Sequence, residues 1–91
     1  MDKREKLNSM EKMIRELDDI VNSQTSLLKK ISQLEAENIN LGNSLLEKRL
    51  PEIHSNADDT LTTASQLVAE FTEVKNKFIK DNKLDEETPA V

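Results

Sequence analysis

Apolar side chains return along this chain at alternating steps of three and four residues. The pattern is clearest over Ile20, Gln24, Leu27, Ile31, Leu34, Asn38, Leu41 and Leu45. Such spacing keeps one stripe of a helix facing a partner helix as the two supercoil. A half-buried strand would alternate with a period of two instead. Placing Ile20, Leu27, Leu34 and Leu41 at heptad position d puts Gln24, Ile31, Asn38 and Leu45 at position a. An earlier run, Leu7, Met10, Ile14 and Leu17, has the same spacing in a different phase. The step of three from Leu17 to Ile20 predicts a stammer, with a hinge between Leu17 and Val21.

The rest of the chain gives this pattern little competition. Among 91 residues there are one glycine and two prolines, so turn-forming residues are scarce. Phe71 and Phe78 are the only aromatic residues. Hydrophobic residues make up 35% and charged residues 34%, which suits long helices better than a packed globule.

Position d after Leu41 falls on Lys48, so the seam ends there, and Pro51 follows. A proline inside a helix costs about 3 kcal/mol, whereas the first turn of a new helix tolerates it. A second stripe then runs through Ala57, Leu61, Ala64, Val68, Phe71, Val74 and Phe78. The expected fold is all-α. A coiled-coil helix spans residues 1–48, a break at Arg49 to Pro51 opens an amphipathic helix reaching residue 82, and residues 83–91 form a disordered tail. Gly42-Asn43 is the other candidate break. A kinked rod is favoured over a hairpin, because no glycine-rich loop separates the stripes.

Candidate chemistry is sparse. The chain has no cysteine, which excludes a disulfide framework and thiolate chemistry. His54 is the sole histidine, and Asp58-Asp59 reads as a solvated pair near a helix start. No catalytic residue, cofactor site or metal site is expected, and the chain is not expected to be an enzyme. A formal net charge of −5 disfavours nucleic acid as a partner. A DNA-binding zipper needs a basic region, and here the acidic run from Arg15 to Asp19 precedes the leucines. No apolar run reaches the roughly 20 residues that would cross a bilayer, so no direct membrane insertion is expected. Residues Met1 to Lys6 carry charges of both signs with no apolar stretch after them, unlike a secretory signal, so a cytoplasmic location is expected.

The expected surface for partner helices comprises Ile20, Gln24, Leu27, Ile31, Leu34, Asn38, Leu41 and Leu45, with Leu61, Ala64, Val68, Phe71 and Phe78 on the second helix. Two polar residues at position a, Gln24 and Asn38, either select a partner and register or mark imperfect heptads. The partners implied are other coiled-coil subunits, with a hetero-oligomer favoured and a homodimer the alternative.

The segment from Ser23 to Glu37 has a Ser23-Gln24 pair ahead of Leu27, Ile31 and Leu34, and Pro51 lies beyond it. From Ile20 to Phe78 this resembles the central region of snapin-like coiled-coil proteins. The resemblance implies a subunit of the biogenesis of lysosome-related organelles complex, or of its lysosome-positioning relative, and so an endosomal role. Size and composition also fit a small helical subunit of a kinetochore or spindle complex, or a homodimeric bacterial coiled-coil regulator.

Overall fold

The chain reverses direction at Gly42 and Asn43. A computed structural model describes residues 1–84, in which α1 (Lys3–Leu41) and α2 (Ser44–Asp81) pack side by side as an antiparallel hairpin. Gly42 adopts the left-handed conformation, φ 72°, and its N–H donates to the Asn38 carbonyl at 2.7 Å. Glycine enters this region without a Cβ penalty, so it ends a helix cleanly. Asn43 then caps α2, its side-chain oxygen accepting the Leu46 N–H at 3.1 Å. Two residues thus suffice to end one helix and start the next.

Two expectations are corrected here. The break is not at Pro51, which lies inside α2. The apolar stripe runs through it without a change of phase, since Leu50, His54 and Ala57 all face α1 as buried or half-buried residues. Lacking an N–H, Pro51 cannot donate to the Glu47 carbonyl, yet packing on both sides holds the helix together. The rod is also excluded. The molecule measures 65 × 22 × 18 Å, close to the roughly 58 Å length of one helix the size of α1, whereas an extended rod of this chain would approach about 120 Å. The expected tail, apart from residues 83 and 84, lies outside the described residues.

Both helix ends at the open end of the hairpin are capped. The Asp2 side chain accepts the Glu5 N–H at 2.8 Å. At the end of α2, Lys83 takes a positive φ of 54°, and the Leu84 N–H donates to the Ile79 carbonyl at 3.0 Å. This closing turn places Leu84 as a buried residue just past the helix.

Candidate functional site: an apolar flank

The seam between the helices follows one unbroken heptad repeat. Apart from half-buried Ser9 and Glu11 beside Met10, the buried and half-buried positions of α1 are Leu7, Met10, Ile14, Leu17, Val21, Gln24, Leu28, Ile31, Glu35 and Asn38. Every step is three or four in strict alternation, so there is no stammer and no hinge between Leu17 and Val21. The phase set by Leu7 continues through Val21 and Leu28, and Ile20 simply belongs to a neighbouring stripe. On α2 the same alternation runs through Leu50, His54, Ala57, Leu61, Ala64, Val68, Phe71, Lys75 and Phe78.

The expected partner-facing residues therefore divide. Gln24, Ile31, Asn38, Leu61, Ala64, Val68, Phe71 and Phe78 are buried or half-buried within the hairpin. Ile20, Leu27, Leu34, Leu41 and Leu45 are exposed, with Ile20 at 45%, Leu27 at 40% and Leu34 at 45%. The exposed residues have a regular arrangement. Three positions beyond Met10, Leu17, Gln24, Ile31 and Asn38 lie Met13, Ile20, Leu27, Leu34 and Leu41, all exposed. Three positions beyond the matching seam residues of α2 lie Ile53, Thr60, Leu67 and Val74, with Leu46 one heptad before Ile53.

A stripe with the same seven-residue repeat as the seam keeps a fixed angle to it along the whole helix. The two stripes lie on the same side of the hairpin, because Leu17 and Ile20 line one shallow groove together with Thr60, Ala64 and Leu67. Among the described residues, eight of the twelve exposed large hydrophobic residues fall along this flank, and Leu46, in the same register, sits at the turn where it lines the opposite cleft. The other flank, one residue beyond Met10, Leu17 and their heptad equivalents, is polar along its middle: Glu11, Asp18, Thr25 and Ser32 on α1, Asp58, Ser65 and Thr72 on α2, with half-buried Ile79 at the open end. Ile39 and Pro51 are its apolar exceptions near the turn, where they line a cleft of about 720 Å³ with Ser32, Glu35 and Leu46.

Asn38 has a role that heptad reasoning missed. It is 7% exposed, and its side chain binds the turn from inside. Its Oδ1 accepts the Asn43 N–H at 2.9 Å, while its Nδ2 donates to the Asn43 carbonyl at 3.1 Å. One amide thus binds both backbone groups of the residue that caps α2, whose carbonyl also accepts the Glu47 N–H at 3.0 Å. The recognisable signal is an asparagine a few residues before Gly-Asn, where a side-chain amide can reach a reversing backbone.

His54 is half-buried in the seam, and Asp58 and Asp59 are exposed. Among the described residues, no group of three or more His, Cys, Asp or Glu could hold a metal ion. No described buried side-chain nitrogen or oxygen lacks a hydrogen-bond partner. No helix among the described residues is long and apolar enough to cross a membrane. No protein-family model, curated protein or solved structure matches the chain.

Proposed function

We propose that this chain is a non-catalytic helical subunit whose apolar flank docks further helices, completing a bundle of which the hairpin is one part. The carrying observation is the alignment of eight exposed hydrophobic residues at heptad spacing on a single flank. Scattered apolar residues are ordinary on a protein surface, but a continuous stripe along the molecule marks an interaction surface. The interior supports the same reading. No side chain among the described residues is fully buried, and the buried apolar residues are Leu7, Ile31, Leu50, Ala57, Ala64 and Leu84. Helices draw most of their stability from packing an apolar face, and this hairpin packs only part of the face it presents. The partner is expected to be another helical chain or another copy of this one, in the cytoplasm. An endosomal assembly is the finer version of the proposal. It rests on the likeness of Ser23-Gln24 and the following leucine stripe to snapin-like proteins, without Pro51, which marks no break.

Co-purification tests the docking role. A tagged chain expressed in its own source cells should retain a helical companion, a differently tagged copy of itself included. A triple variant, Ile20→Ser with Leu27→Ser and Leu67→Ser, should lose it while keeping the helical spectrum of the hairpin. Undiminished retention by the folded triple variant would remove the flank from the function.

A further inference from the structure

We infer that the helices covering this flank belong to a second copy of the chain, laid face to face and end over end, so that the two turns sit at opposite ends of a four-helix bundle. The inference rests on the docking role proposed above and names its occupant. In this arrangement α1 packs antiparallel to α1 of the copy, and α2 to α2 of the copy.

Apart from Leu41, which falls at the level of Lys6, the apolar stripes match themselves under this operation. A two-fold axis midway between Ile20 and Leu27 sets Ile20 against Leu27 of the copy and Met13 against Leu34. On α2 an axis through Thr60 sets Ile53 against Leu67 of the copy and Leu46 against Val74. Thr60 is the sole polar residue of the α2 stripe from Leu46 to Val74, and it falls on the axis, where it meets itself. The two axes coincide. Ile20 shares its groove with the stretch from Asp59 to Leu67, and the helices run antiparallel. Moving half a heptad along α1 from Ile20 therefore reaches the level of Thr60.

The middle of the rim matches itself too, while Glu37 and Lys77 fall beyond the charged positions of the copy. Just outside the stripes stand Glu16, Lys30 and Glu37 on α1, and Arg49, Glu70 and Lys77 on α2, all exposed. Three acids balance three bases, so this rim is neutral although the whole chain carries −5. The axis that matches the apolar residues brings Glu16 to Lys30 of the copy and Arg49 to Glu70 of the copy. Symmetry forms each pair twice. Within the single hairpin Glu16 lies 3.8 Å from Lys12 and Arg49 lies 3.0 Å from Glu52, both exposed pairs free to rearrange. The other symmetric stacking, with both turns at one end, puts α1 over α2 of the copy. It sets Glu16 near Glu70 and Glu37 near Arg49, one repulsive pair against one attractive, where the end-over-end stacking makes attractive pairs only.

Charge exchange across the rim tests this. Sedimentation equilibrium of the full chain at low salt, up to about 100 µM, should give twice the 10.4 kDa chain mass. Glu16→Lys and Lys30→Glu, each alone, should weaken self-association roughly threefold to tenfold, since each replaces both attractive pairs on the α1 rim by repulsive ones. An equimolar mixture of the two variants should recover the wild-type affinity, because both rim pairs become attractive again. A wild-type chain that stays at its single mass would overturn the second copy, while the docking role would still stand or fall on the co-purification. A dimer whose variants show no recovery on mixing would overturn the end-over-end arrangement.

Discussion

At the scale of single residues, the turn concentrates more specificity than any other part of the chain. Asn38, Gly42 and Asn43 act together: one binds the turn backbone, one takes the left-handed angle, one caps the next helix. Asn38→Ala removes two hydrogen bonds and leaves the Asn43 N–H to find another partner, while the Asn43 carbonyl keeps the Glu47 N–H at 3.0 Å. It should lower the unfolding free energy by about 1–3 kcal/mol in urea denaturation. At Gly42 a Cβ would meet nothing within 4 Å, so Gly42→Ala carries only the backbone penalty. That should be about 1–2 kcal/mol in the same measurement, with Gly42→Asn costing less. A loss for Gly42→Ala well beyond about 2 kcal/mol would contradict this division of roles.

At the scale of the elements, the two helices and their all-α nature were legible in the sequence, because spacing by three and four admits few other structures. The phase was harder. Both the seam and the exposed stripe repeat every seven residues, and the exposed one is richer in Leu and Ile. Ile20, Leu27, Leu34 and Leu41 outweigh Val21, Gln24 and Glu35 on any scale of hydrophobicity, yet the latter three lie in the seam. The structure takes the seam that runs unbroken from Leu7 to Asn38, Gln24 and Glu35 included. The break was misplaced for a related reason. Proline was weighed by its cost within a helix, and that cost is outweighed when Leu50 and Ala57, on either side, are buried against α1. If so, Pro51→Ala should stabilise the hairpin, by up to about 3 kcal/mol, as read by thermal unfolding followed by circular dichroism. Unchanged or reduced stability would indicate that Pro51 supplies something the hairpin needs.

At the scale of the whole molecule, two apolar surfaces that merge into one in the sequence lie apart in the structure. The seam folds the chain, and the flank associates it. Ile31 and Leu34 lie on adjacent faces of the same turn of α1 and illustrate the split, at 3% and 45% exposed. Truncating a buried core residue costs roughly 2–5 kcal/mol whatever the protein concentration. Truncating a residue buried only by association shifts stability by mass action, so its effect fades on dilution. The most direct measurement is therefore urea unfolding of Ile31→Ala and Leu34→Ala across about a hundredfold dilution range. The account predicts that Ile31→Ala destabilises the chain equally throughout. Leu34→Ala should destabilise it at high concentration and approach wild type at low concentration. Equal, concentration-independent losses for both variants would contradict it, because they would make the flank part of the fold rather than the surface on which the chain assembles.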